Sequence, residues 1–339
     1  MNEWKGTALV QLLEDTVGTR RTESLFGLLE VPQALQTPAT GPVSRAVLAM
    51  AMDMLLFEDL IRRVPSASLY VQQQERDGRK IVFDHGALRT VKTLSGQLPP
   101  GHLAFARILE PLGYKVNGVY PLELLAMTGH AYAHLDLPEV IPQFFVSELH
   151  PERFTTTFQE TVARVLASAI DPLPAWTQPL LDELREHQQL PFDQARKLLP
   201  NLVACFDRQH APLALDDYQA LLAESAEMAW IATEGNAFNH ATDRVDDVAA
   251  LSEAQMALGR PMKDAVEVST SGRVLQTAFK AAMVERAFVA PEGQMVLRTV
   301  PGSFYEFITR KPEAEGHLDL RFDAANAQGI FKMTATQSR

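Results

Sequence analysis

At 339 residues, with 46% hydrophobic and 22% charged side chains, the chain has an ordinary globular composition and enough length for two domains or one large one. A formal charge of −11, with no dense basic block, argues against nucleic acid and anionic membrane surfaces as partners. The single cysteine, Cys205, excludes an intramolecular disulfide and a thiolate cage, and its neighbours Val203, Ala204 and Phe206 read as core.

Residues 1–75 read as an N-terminal helical region, with apolar periodicity from Ala8 onward and again over 46–64. A Pro- and Thr-rich stretch at 31–42 separates the two, and Pro65 ends the second. Met50, Met52 and Met54 recur at spacings of two, which scatters them around a helix, so they read as packing. No run approaches the roughly 18 uncharged apolar residues of a membrane span, and the first residues do not resemble a secretory signal. The expected location is therefore cytoplasmic.

From residue 76 to 150 the texture is that of a β-α-β-(β)-β module, with strands over 81–91, 114–120 and 143–149 and a short helix over 100–110. Helical periodicity returns over 151–231, with four candidates at 158–170, 176–187, 192–206 and 215–230. A second module over 232–312 repeats the order: strand 238–245, helix 248–258 behind Asp246-Asp247, then strands 265–269, 283–290 and 304–310. Residues 313–339 form a C-terminal extension, and the five segments read as one compact unit. Two modules of equal order form a weak internal repeat.

The repeat carries chemistry. Asp84-His85-Gly86-Ala87-Leu88-Arg89 is answered by Phe238-Asn239-His240-Ala241-Thr242-Asp243-Arg244-Val245, each with a histidine followed four residues on by an arginine. His85 precedes Glu148 by 63 positions and His240 precedes Glu306 by 66, so each half ends on a carboxylate in a strand-like run. On a strand His85, Ala87 and Arg89 share one face, with about 13 Å between the ends at ~3.3 Å per residue. An imidazole holding a metal and a guanidinium at that distance can grip the two ends of one small diacid. Two imidazoles and one carboxylate, His85, His240 and Glu306, compose a facial triad with open positions; a glutamate on an edge strand could equally face water.

Rival motifs are weaker. His130 and His134 stand four apart, but Ala131 occupies the place where a zinc protease needs its glutamate. Phosphate-cradling glycine loops and a Gly-x-Ser-x-Gly elbow are absent from the sequence. The polar stretch 269–277 could offer Arg273 and Gln276 to a bound acid, or could be a solvated loop.

The blocks Asp84-His85-Gly86-Ala87-Leu88-Arg89, Ile108-Leu109-Glu110-Pro111-Leu112-Gly113-Tyr114, His134-Leu135-Asp136-Leu137-Pro138, Phe145-Val146-Ser147-Glu148-Leu149 and Asn239-His240 resemble the 2-oxoadipate dioxygenase/decarboxylase family, or hydroxyglutarate synthases. More distantly they resemble the vicinal oxygen chelate (glyoxalase) superfamily. The resemblance implies an α+β fold in which two βαβββ modules form a cupped mixed sheet around a metal. It implies an Fe(II) oxidoreductase of lysine catabolism that takes a 2-oxo acid such as 2-oxoadipate and O2 to 2-hydroxyglutarate and CO2. Nickel or zinc can take the iron's place in a purified sample. The family's metal ligands fall on His85, His240 and Glu306, and its substrate-carboxylate arginine on Arg89. Glu148 is the alternative ligand, as in four-ligand glyoxalases, which keeps open a metal-dependent lyase or isomerase, and a metal-free binding protein of the same fold. A homo-oligomer is compatible with the sequence.

Overall fold

In this computed structural model, which describes residues 2–323, the chain opens with α1 (Ala8–Val17) and α2 (Thr19–Leu28), followed by β1 (Val43–Ser44), α3 (Arg45–Arg63) and α4 (Pro65–Arg76). Apolar residues run around the whole circumference of α3, which places it inside the protein rather than on its surface. Met50, Met52 and Met54 are buried there as packing, and the buried Asp53 is held by the Tyr114 hydroxyl at 2.8 Å. Pro65 does end α3, but it also begins α4, where its missing N–H costs nothing. Read as a stop alone, it conceals that second helix.

Next come β2 (Phe83–Val91), α5 (Leu103–Leu109), β3 (Tyr114–Leu122), β4 (Met127–His134) and β5 (Gln143–Leu149). The helical stretch contains α6 (Thr156–Leu166), α7 (Thr177–His187), the short β6 (Gln189–Leu190), α8 (Phe192–Ala204), α9 (Leu215–Glu224) and α10 (Ala226–Glu234). The single helix expected over 215–230 is broken at Ser225, whose extended backbone and side-chain bond to Met228 N start α10 afresh. The remainder is β7 (His240–Arg244), α11 (Val248–Ala257), β8 (Glu267–Val268), β9 (Val274–Ala278), β10 (Met283–Val289), β11 (Met295–Pro301) and β12 (Phe304–Arg310).

Eight strands form one cupped mixed sheet in the order β3-β4-β5-β2-β7-β12-β9-β8. The pairs β2–β5 and β7–β12 are parallel, and the central pair β2–β7 is antiparallel. Each half therefore has its first strand at the centre and its last strand beside it, which is a βαβββ module repeated about an approximate twofold. The strand expected over 283–290 is not part of this sheet: it pairs with β11 as a separate hairpin. Its place belongs to β9, which begins inside the polar stretch 269–277 read as either a contributor to a bound acid or a solvated loop. Gln276 and Thr277 are buried there at 7% and 0% exposure, so their polarity hid an inward-facing strand.

Aromatic packing seals the convex face, with Phe57 5.0 Å from Phe83 and Tyr70 4.9 Å from Phe307. Gly86 sits where a Cβ would lie 2.2 Å from the Phe238 ring, so only a hydrogen fits between β2 and this core. On the concave side, α6, α9, α10 and the β10–β11 hairpin cover the half of the cup beyond Ala87, with the Trp230 indole donating to Gly302 O at 3.0 Å. Part of the helical segment between the modules is thus one wall of the cup, while α7 and α8 pack with α1 and α3 in the other core. Among the described residues no helix is long and apolar enough to cross a membrane.

Candidate metal centre

Strand register brings the triad together. Ala87 stands opposite His240, His85 opposite Thr242, and Glu306 beside Thr242. His85, His240 and Glu306 thus project from three adjacent strands onto one face. Glu306 Oε2 lies 3.0 Å from His240 Nε2 and 3.4 Å from His85 Nε2, and it accepts a 2.8 Å bond from the Thr242 hydroxyl. The candidate ligand atoms all lie within 4.8 Å of one another, and all three residues are buried.

A second layer fixes the rings. A register shift between Phe83 and His85 turns Asp84 toward the site, where its carboxylate lies 2.8 Å from His85 Nδ1. Arg310, four residues beyond Glu306 on β12, clasps Asp84 through Nε at 3.0 Å and Nη2 at 2.9 Å. Burial opposes the charged form of Asp84, yet Arg310 and His85 hold the carboxyl well below the usual range. Burial likewise opposes charge on His85, but Asp84 and Glu306 raise its pKa above the ordinary value. For His240 burial prevails over Glu306 and lowers it. Glu306, although buried, is held well below the carboxylate range by the two imidazoles.

The residues present fit a divalent metal. Asn239 places Nδ2 3.1 Å from His240 Nδ1, while its Oδ1 is buried with no hydrogen-bond partner among the described residues. Rotating the amide end for end puts Oδ1 on a protonated Nδ1, satisfies the orphan atom and frees the Nε2 lone pair. A metal-bound imidazole needs that tautomer, and Asp84 enforces the same one on His85.

Glu148 does not join them. In module two the glutamate lies two residues past the partner of the histidine, and the same step in module one leads from Gln143, opposite His85, to Phe145. Glu148 pairs with Thr90 and so projects from the convex face, beside His102 and His130. The similar spacings of 63 and 66 in the sequence conceal a three-residue difference, which on a strand reverses the side. Where a fourth ligand would stand there is a phenyl ring.

Arg89 lies on the triad's face two residues past Ala87, wholly buried, its guanidinium 4.9 Å from the centre of the Trp230 ring. Burial lowers its pKa to about 10, opposed by the carboxylate of Glu227. Gln276 lines the cavity at the triad together with Ser147 and Phe145. Arg273 does not reach it: half exposed, its Nε lies 3.3 Å from Asp319 Oδ2. Cys205 is the inert core thiol expected, with burial pushing its pKa up to about 12.

Several residues of the site escaped sequence reasoning. Asp84 and Asn239 adjoin the histidines and could have been taken as their orienting partners; Thr242 and Arg310 share strand faces with ligands. Nothing in the sequence marks Phe322, which lies against the His85 ring at 4.8 Å and against Phe145 at 4.9 Å. It is anchored by a bond from its N–H to the Tyr120 hydroxyl at 3.0 Å, while Arg310 Nη1 holds the carbonyl oxygens of Asp319 and Arg321. The cavity left beside the triad measures only about 30 Å³.

Paired βαβββ modules about a buried two-histidine, one-carboxylate cluster place the protein among glyoxalase-like folds. More closely, the chain belongs to the 2-oxoadipate dioxygenase/decarboxylase family, whose profile matches residues 49–334. It is 54% identical to a glyoxalase-superfamily protein of Ralstonia eutropha JMP134, covering 93% of this chain and 98% of that one with a TM-score of 0.89. The fold recurs in the hydroxyglutarate synthase of Oryza sativa crystallised with 2-oxoadipate, at 16% identity, coverage of 91% and 96%, and a TM-score of 0.69. It recurs also in the Pseudomonas putida hydroxyglutarate synthase with 2-oxoadipate, at 19% identity, coverage of 86% and 72%, and a TM-score of 0.55. No curated protein sequence matches significantly.

Proposed function

We propose that the protein is an Fe(II)-dependent dioxygenase that decarboxylates a 2-oxo diacid of the 2-oxoadipate type. One O2 and one 2-oxoadipate give one 2-hydroxyglutarate and one CO2, a balance that requires no external reductant. The observation that carries this reading is the buried convergence of His85, His240 and Glu306 with Arg89 on the same sheet face. When bound, the metal would hold the carboxylate and keto oxygens of the 2-oxo acid and supply the redox chemistry toward O2.

The chain's own residues do the rest. Asp84 and Asn239 keep the imidazoles in the ligating tautomer, and Thr242 holds Glu306 Oε2 in place. Arg89, deep under Trp230, pairs the distal carboxylate and thereby selects chain length. Gln276 offers its amide to the bound acid, in keeping with its place on the cavity wall. A cavity of about 30 Å³ holds one or two waters, so a diacid enters only when Phe322 withdraws. Return of the ring then excludes water from the reacting centre.

The test is oxygen uptake by iron-reconstituted protein with 2-oxoadipate, with product analysis. Stoichiometric O2 loss, CO2 release and 2-hydroxyglutarate are expected; the absence of both uptake and product would reject the assignment. The relative of the glyoxalase superfamily favours a second reading, a metal-dependent isomerase, which would turn over its substrate without oxygen. Phe145 in the fourth-ligand position weighs against it.

A further inference from the structure

Behind the sheet, on the opposite face from the triad, three more metal-ligating side chains converge. His130 comes from β4, Glu148 from β5, and His102 from the residue before α5. Register places Thr128 opposite Glu148 and His130 diagonally beside it on the same face. Glu148 Oε2 lies 3.0 Å from His102 Nδ1, and Oε1 lies 3.3 Å from His130 Nε2. The three candidate ligand atoms lie within 4.8 Å of one another. For zinc bonds of about 2.0–2.1 Å in a tetrahedron, the edges between ligands are about 3.4 Å, so small rotations suffice to close this set around one ion.

The arrangement is held before any ion arrives. The backbone N–H of His102 donates to Glu148 Oε2 at 3.1 Å, and the two imidazoles stack at 3.9 Å with 20° between their planes. Gly101 has φ +58°, and a Cβ there would lie 2.1 Å from Glu148 Oε2. Only glycine lets the carboxylate reach this position. The His102 side chain is 25% exposed and those of His130 and Glu148 are 11% and 6%, so the cluster is walled on the sheet side and open to solvent on the other.

We propose that His102, His130 and Glu148 form a second divalent-metal site of the zinc class, separate from the triad, with water in the fourth position. On binding, the proton of each facing ring nitrogen moves to the far nitrogen of its ring or to solvent, and the freed lone pairs and the carboxylate take the ion. The ion fastens the start of α5 to β4 and β5. This site stands independently of the reaction proposed for the triad, because the two clusters share no residue and lie on opposite faces.

The test uses full-length protein stripped of metal by a chelator and titrated with Zn2+ and Co2+. The unmodified protein is expected to take two equivalents, His240→Ala one, and His240→Ala with His102→Ala none. Zinc should raise the melting temperature of His240→Ala, and Co2+ should give it the visible absorption of a four-coordinate N/O site. Both effects should vanish with His102→Ala and with the milder His102→Gln, whose circular dichroism reports that the fold is intact. Failure of His240→Ala to bind zinc would overturn the proposal, as would zinc that survives both His102 variants. Zinc binding at two sites, together with no oxygen uptake with 2-oxoadipate by the iron-reconstituted protein, would leave this proposal standing and remove the other.

Discussion

Replacing Asp84 by asparagine preserves its shape but removes the charge that both His85 and Arg310 depend on. The Arg310 side chain is fully buried and clasps Asp84 through two nitrogens, so the substitution leaves a guanidinium charge without its carboxylate. Breaking one partner of such a buried pair costs about 3–5 kcal/mol. The loss should appear in urea unfolding as a lowered midpoint at unchanged slope. The same change leaves one acceptor oxygen where His85 and Arg310 shared two, and puts an NH2 group against one of them, which weakens the hold on the His85 tautomer; metal affinity should fall about 10- to 100-fold by competition titration. The double variant Asp84→Asn with Arg310→Met separates the two effects. Most of the stability should return with the buried charge gone, less the part that Arg310 contributes by donating to the Asp319 and Arg321 carbonyls. Metal affinity should stay low. If Asp84→Asn costs under about 1 kcal/mol and binds metal as before, the clasp is not what orders the site.

Arg89→Met should raise the KM for 2-oxoadipate at least about tenfold while affecting a 2-oxo monoacid far less, measured by oxygen uptake; equal losses on both would place Arg89 outside substrate selection. Phe322→Ala should speed substrate entry and lower the coupling of O2 consumed to 2-hydroxyglutarate formed, because water reaches the centre; unchanged coupling and KM would show the ring to be a passive filler. His134 donates from Nε2 to Leu112 O at 3.0 Å and accepts from Asp136 N at 3.2 Å, and burial lowers its pKa from 6.5 to about 4. Since the unfolded chain takes up the proton near 6.5 and the folded one only near 4, its contribution is complete above pH 6.5 and falls away as pH drops toward 4, by about 3 kcal/mol. His134→Asn should flatten the pH dependence of the urea midpoint in that window; an unaltered slope would assign the acid sensitivity elsewhere.

Local residues made much of this legible. The apolar runs Gln143–Leu149 and Phe304–Arg310 matched β5 and β12 at both ends, because strands buried on both faces read as such runs between turn residues. The helical texture between the modules was equally plain, and so were the pairs His85 with Arg89 and His240 with Arg244, since residues an even number apart on one strand share a face. The βαβββ order repeated in one chain was legible from local texture, whereas the cupped sheet was what the family likeness implied.

Tertiary structure decided what depends on register. Whether Glu148 or Phe145 answers Glu306 turns on which residue of β5 stands beside His85, and a strand's faces alternate every residue, so counting along the chain cannot tell. The exchange of β10 for β9 had the same origin: Gln276 and Thr277 are polar yet buried, while the alternation of β10 suits a hairpin as well as a sheet. Arg273 turned to Asp319, and Phe322 came to rest on His85, through contacts whose partners lie tens to hundreds of residues apart. Sequence alone thus determined which residue types are present and which share a strand face. Only the folded chain determined which strands are neighbours and in what register, because those choices follow from burial summed over the whole sheet rather than from any one segment.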